Sequence, residues 1–152
     1  MYENRLEFQI DQTIGYALNR CTILLRLNLA QQFSANGYDI TPEEWVILNR
    51  LWQKDGRSQS DLARTTIKDK TTVTRHLNRM ERKGLIVRQS STADARVNLI
   101  FLTPAAEALK TALIPLAREL LSAGIAGIDQ SEMAITLSVL KKIEQNLLNY
   151  SS

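Results

Sequence analysis

Apolar residues in the first part of the chain recur with a helical period. Leu6, Ile10, Ile14, Ala17, Cys21, Leu24 and Leu25 follow one another at spacings of three and four, which paints one stripe along a helix. The spacing predicts a helix from about Leu6 to Ser34, closed at Ala35-Asn36-Gly37-Tyr38, where Asn and Gly tolerate the left-handed conformation that ends helices. Thr41-Pro42-Glu43-Glu44 then reads as a helix start: Thr41 caps, Pro42 suits the first helical position and Glu44 completes a capping box. Trp45, Val46, Leu48, Leu51 and Trp52 are expected on its buried side, with Gly56 ending the unit.

Two short helices follow. Ser58 is an N-cap candidate with Asp61 three residues on, for a helix stopping near Thr66, and Asp69 caps another that runs to about Lys83 before Gly84. Short helices joined by a tight turn form a helix-turn-helix. After Gly84 the period changes. Leu85-Ile86-Val87 and the alternating Val97, Leu99 and Phe101 read as two strands around a polar turn at 90–95, which is a β-hairpin wing. Thr103-Pro104 opens a further helix through Pro115, expected to kink there, towards Gly124 and Gly127. Asp129, with Glu132 reciprocating, caps the last helix, whose stripe is Met133, Leu137, Leu140, Ile143 and Leu147.

The expected fold class is therefore mainly α with a small β-hairpin wing, in one domain spanning 1–152. A winged helix-turn-helix occupies about 41–103, and long terminal helices occupy about 6–36 and 104–150. Those terminal stripes exceed what a monomer of this size covers easily.

Charge sharpens the picture. Between Arg57 and Arg96 there are ten Lys/Arg against four Asp/Glu, a local +6 in a chain whose total is +3. A basic middle between mildly acidic ends is the footprint of a nucleic-acid-binding module. On a helical wheel at about 100° per residue, Val73, Leu77 and Met80 face inward. Thr71, Arg75, Asn78 and Arg82 fall opposite, flanked by Thr72 and Arg79. Arg suits guanine acceptors and Thr suits the thymine methyl in a major groove. The first turn enters a groove deepest, so Thr71, Thr72 and Arg75 are the base-contact candidates, with Arg79 and Arg82 reaching phosphates and Lys70 and Asn78 completing the DNA-binding set of this helix. Ser58 and Arg64 are candidates for the DNA backbone. On the wing, Asp94 stands two residues before Arg96, where strand alternation would let it hold the guanidinium for a minor groove.

Asp94-Ala95-Arg96-Val97-Asn98-Leu99-Ile100-Phe101-Leu102-Thr103 resembles the wing motif D-x-R-x-x-x-L-x-L-T of the MarR family of winged helix-turn-helix transcriptional regulators, with Ile100 in place of Leu. Val73-Thr74-Arg75-His76-Leu77-Asn78-Arg79-Met80-Glu81-Arg82-Lys83-Gly84-Leu85-Ile86 is similar to that family's recognition helix and its exit into the wing. The resemblance implies a homodimer whose first and last helices intertwine, bound to a pseudo-palindromic duplex site. It also implies a repressor released by a small, often aromatic and anionic, compound. Arg20 and Trp45 are the expected cation and apolar wall for such an effector.

Other chemistries find little support. One His (His76), one Cys (Cys21) and six scattered glycines offer no nucleophile pair, zinc cluster or phosphate loop, so no cofactor, metal site or enzymatic activity is expected. His76, beside the buried edge of its helix, reads as a packing or phosphate-contacting residue rather than a pH sensor. Cys21 could serve a redox-sensing regulator, but its place on the apolar stripe favours an inert thiol. A winged helix used only to grip proteins would lose the outward Arg/Thr face that this chain keeps. The charged N-terminus and short apolar runs give no signal peptide and no span, so the expected protein is soluble and cytoplasmic.

Overall fold

Helix starts in this chain are set by side chains that satisfy free backbone N–H groups. In the computed structural model, which describes residues 8–66 and 68–150, the Thr13 hydroxyl accepts from the Tyr16 N–H at 3.2 Å and opens α1 (Ile14–Ala35). The expected start near Leu6 is corrected: a 3-10 turn at Ile10–Gln12 precedes the cap, and Leu6 lies outside the described residues. Apolar spacing ran on across Thr13 because periodicity does not register a capping hydroxyl.

The capping box at the next start is complete. Thr41 Oγ1 accepts from the Glu44 N–H at 3.2 Å, and Glu44 Oε2 accepts from the Thr41 N–H at 3.0 Å, fixing the first turn of α2 (Pro42–Gln53). Ile47 is buried there and Val46 is exposed, the reverse of the expected assignment. Glu44, Ile47, Leu48 and Leu51 fall within about 100° of one another around the helix, and Val46 lies on the far side of it.

β1 (Arg57–Ser58) leads into α3 (Gln59–Thr66), where Ser58 Oγ accepts from the Asp61 N–H at 3.1 Å. Then come α4 (Lys70–Arg82), β2 (Ile86–Ser90), β3 (Asn98–Leu102) and α5 (Pro104–Gly124), which continues through Pro115. α6 spans Gln130–Tyr150. The strands form one antiparallel sheet in the order β1-β3-β2, with Ile86 opposite Leu102 and Ser90 opposite Asn98. The two-residue β1, too short for any periodicity, turns the expected hairpin into three strands.

The sheet's inward face carries Ile86, Ile100 and Leu102. The expected alternating set is corrected: Leu99 and Phe101 are half-buried on the other face, and Val97 is exposed and outside the strand. Both parities of β3 are apolar, so alternation alone did not choose between them. Inward residues from the sheet pack with Phe33, Leu48, Leu51, Leu62, Val73, Leu77, Met80 and Leu113 in one core.

The chain divides into two compact units, Met1–Leu120 and Leu121–Ser152. In the first, α1 is buried only near its end, at Phe33, while Ile14, Leu24 and Leu25 of the predicted stripe are exposed. In the second, the Asp129 N–H donates to Glu132 at 3.0 Å at the start of α6, and Leu137 and Leu147 are exposed.

Gly56 joins α2 to the sheet with φ +70°, and a Cβ there would lie 2.8 Å from the Phe101 ring. Gly56→Ala is expected to cost about 1–3 kcal/mol through left-handed backbone strain and displacement of that ring. Urea unfolding measures the cost, and an unchanged midpoint would show that the turn relaxes freely.

Candidate nucleic-acid interface

α4 is held from its first turn. Asp69 accepts from the Thr72 N–H at 2.7 Å and from its hydroxyl at 2.8 Å. The Thr72 N–H, then its hydroxyl, hold the Asp69 carboxyl below the usual aspartate range. Thr72 is thus half-buried with its hydroxyl proton committed to the cap, unlike its exposed neighbour Thr71.

With Val73, Leu77 and Met80 fully buried, the opposite face of α4 is turned outward. Lys70, Thr71, Thr74, Arg75, Asn78 and Arg82 line an open groove of about 450 Å³ there. Thr74 escaped the wheel reading. Its hydroxyl donates to Lys70 O at 2.8 Å and accepts from the Gln59 amide, tying the start of α3 to α4. A second concavity, about 240 Å³, is lined by Ser58, Gln59, Ser60, Lys70, Arg96, Val97 and Asn98. Lys70 belongs to both, so the outer face of α4 and the wing form one continuous polar surface. Its cations are Lys70, Arg75, Arg82 and Arg96, and the carboxylate of Asp94 at the wing is paired with Arg96.

Both flanks of α4 are clamped by charge. On the α2 side, fully buried Glu44 meets Lys83 Nζ at 2.8 Å and Arg79 Nε at 3.3 Å. Arg79 Nε lacks hydrogen-bond alignment, so Glu44 Oε1 has no hydrogen bond. Exposed Asp39 adds a second acidic partner for both cations, 3.3 Å from Lys83 and 3.7 Å from Arg79. Arg79 is therefore committed to carboxylates, whereas Arg82 stands in the outer groove. On the sheet side, Arg88 of β2 donates to Glu81 at 2.6 Å and to Asn78 Oδ1 at 2.8 Å.

At the wing, Arg96 Nε and Nη2 donate to Asp94 at 3.1 and 3.2 Å, and the Arg96 backbone N–H donates to Asp94 Oδ1 at 3.0 Å. These bonds lower the Asp94 pKa, the guanidinium contributing most. The pair meets through a turn closed by the Val97 N–H and Asp94 O at 2.9 Å, not through strand alternation. The Arg96 side chain remains 90% exposed.

The remaining candidates lie apart. Ser58 lines the wing-side concavity, while Arg64 pairs with Asp61 at 2.5 Å and lines neither. Arg20 stacks over Tyr16 at 5.8 Å, and Trp45 packs against Phe33 and Trp52. Thirteen residues of helix separate Arg20 from Phe33, about 20 Å at the α-helical rise, so the structure does not bring Arg20 and Trp45 together. It is Arg26 that reaches α2, pairing with Glu43. Cys21 is exposed in the protomer, which corrects the expectation of a buried thiol: its stripe is left uncovered by the single chain.

A family model for the MarR family matches residues 40–97, from the lead into α2 to the wing loop. The transcriptional regulator PA3341 is 30% identical, with 90% of this chain and 99% of that one covered at a TM-score of 0.78. The chain belongs to the MarR family. Two more distant structures share the fold. A MarR transcriptional regulator from Methanosarcina mazei Go1 is 24% identical, covering 88% of this chain and 96% of its own at a TM-score of 0.77. BpsR of Bordetella bronchiseptica, whose DNA binding is regulated by 6-hydroxynicotinic acid, is 22% identical, covering 91% and 97% at a TM-score of 0.82. This MarR-family chain is thus a winged helix-turn-helix transcriptional regulator. No described helix is long and apolar enough to cross a membrane.

Removing one partner of a buried ion pair leaves the others uncompensated. Glu44→Gln keeps the side-chain shape and is expected to destabilise the protein by roughly 3 kcal/mol in denaturant unfolding; a loss within error would show that Arg79 and Lys83 simply turn to solvent. His76 supplies a pH test. Burial, ahead of nearby charges, lowers its pKa below 6.5. The unfolded chain therefore takes up this proton first on acidification, so stability is full above 6.5 and declines between there and the lowered folded value. His76→Gln is expected to flatten that part of the decline in melting temperature between about pH 7 and pH 5. An unaltered profile would place the loss on other groups.

Proposed function

We propose that the protein is a non-enzymatic, sequence-specific regulator that binds double-stranded DNA as a homodimer and acts as a repressor released by a small aromatic or anionic compound. One observation carries the reading. The outward face of α4 and the wing share a polar surface with four cations, on which the Asp94 carboxylate is taken up by Arg96, and the other sides of the helix are occupied by core and ion pairs. A duplex presents phosphates along such a surface and acceptor-bearing base edges to its centre.

Roles follow from position. Arg75 projects away from Val73, Leu77 and Met80 near the helix start and reads a base edge. Thr71 adds a contact beside it, and Lys70 and Arg82 neutralise phosphates. Arg96, held by Asp94 at the hairpin, follows the minor groove, where width and A·T content are legible. Exposed apolar residues on α1 and α6 support the dimer, because each helix leaves a stripe that a second copy can cover. Two such surfaces on a two-fold axis fit a pseudo-palindrome with half-sites about one helical turn apart. The effector reading rests on the family and on the 6-hydroxynicotinic acid control of BpsR.

Selection of bound duplexes from a random pool is expected to recover inverted repeats. Arg75→Ala is expected to cost about 1–3 kcal/mol at the selected site and to relax one base pair per half-site. Arg96→Ala should lower affinity evenly across single-base variants, with Asp94→Ala a milder copy. Arg82→Ala should reduce the slope of log affinity against log salt by about 0.9. Sequence-independent or salt-insensitive binding by the wild type would overturn the reading.

A further inference from the structure

Asn78 stands on the outer face of α4, in the same groove as Thr71, Arg75 and Arg82. A free asparagine there would be the natural reader of adenine, because its carboxamide has an acceptor and donors to match N6–H and N7 together. In this chain the acceptor is already engaged. Asn78 Oδ1 accepts from Arg88 Nη2 at 2.8 Å, while Arg88 Nη1 donates to Glu81 Oε2 at 2.6 Å.

The direction of the amide follows from chemistry. A guanidinium carries only donors, so the amide atom that faces it is the oxygen. Arg88 shares the inward-facing parity of Ile86 on β2, its side chain is 18% exposed, and Glu81 takes its other end. A guanidinium fixed at both ends holds an amide better than a mobile surface cation does. Its positive charge also opposes the approach of a second donor, such as adenine N6–H, to the same oxygen.

We propose that Arg88 is a specificity-determining positioning residue: by locking Asn78 Oδ1 it makes Asn78 a donor-only reader, suited to the paired O6 and N7 acceptors of a guanine and unsuited to adenine. This deepens the DNA-binding reading and rests on it. Arg88 itself touches no base. It joins the wing strand to the recognition helix and acts through the amide.

The test compares single-base operator variants against wild type, Asn78→Ala, Arg88→Met and Asn78→Asp. Asn78→Ala locates the base pair that this residue reads, and wild type is expected to prefer guanine there. Arg88→Met keeps an apolar stem on the strand but frees the amide, and is expected to raise the adenine-to-guanine affinity ratio at that pair, and only there, on the order of tenfold. Asn78→Asp leaves Arg88 untouched and replaces the outward donor with an acceptor, so preference should move to a base presenting a donor, cytosine. An Asn78-dependent preference for adenine in wild type would overturn the proposal, as would the absence of any Asn78-dependent base pair. So would an Arg88→Met profile lowered evenly at every position, the result of a purely structural role. Should Arg88→Met not fold, the wild-type preference and the Asn78→Asp switch still decide. A wild type with no selective duplex binding would instead sink the underlying reading.

Discussion

A carboxylate with no access to water fixes the orientation of α4. Glu44 is fully buried, and a charge in that position is costly unless opposite charge meets it within the protein. Lys83 and Arg79, from the end of α4, provide that charge. Because Glu44 also completes the capping box of α2 through the Thr41 N–H, one side chain ties the start of α2 to the end of α4. A buried ion pair adds little net stability against an apolar alternative of the same shape. What it adds here is register, since sliding or turning α4 would strand the charge.

This constraint divides the basic segment by task. Of its ten Lys/Arg, six form ion pairs: Arg57 and Arg64 with Asp61, Arg79 and Lys83 with Glu44, Arg88 with Glu81, and Arg96 with Asp94. The pairs do not all mean the same thing. Arg57, 17% exposed, also donates to Arg50 O at 2.9 Å and braces β1 against α2. Arg96 is pinned yet almost wholly exposed, the arrangement of a group held ready for a partner. Lys70, Arg75 and Arg82 show no ion pair among the described residues and point where α4 is bare. Local net charge therefore announces a nucleic-acid surface but overstates how many cations are free to meet phosphates.

What the sequence made legible follows the range of the interactions involved. Caps at Thr41, Ser58, Asp69 and Thr103 depend on residues three apart, as does the Glu132 bond back to the Asp129 N–H, and each is where the spacing placed it. The inward face of α4 was equally readable, because Val73, Leu77 and Met80 have no apolar rivals on that helix. The face of β3 was not, since both of its parities are apolar and the choice is made by the helices beneath. The clamps were invisible for a related reason: Glu44 and Lys83 are 39 positions apart, and Arg88 and Asn78 meet only after the chain turns at Gly84. Asp94 and Arg96 were paired correctly for the wrong reason, a turn rather than a strand.

Holding α4 on three sides has a consequence for how binding could be controlled. Its core face, its α2 flank and its sheet flank are all satisfied within the first compact unit, so its outward chemistry changes little without breaking a buried contact. In the dimer proposed above, those contacts would leave the spacing between the two copies of α4 free to vary. A ligand shifts an equilibrium only by its difference in affinity between the two states. Altering the spacing requires no loss of the Glu44 or Arg88 clamps, whereas altering α4 within its unit does. On the proposed reading, base reading and half-site geometry are separable, and an effector that acts on the geometry leaves the Glu44 and Arg88 clamps intact.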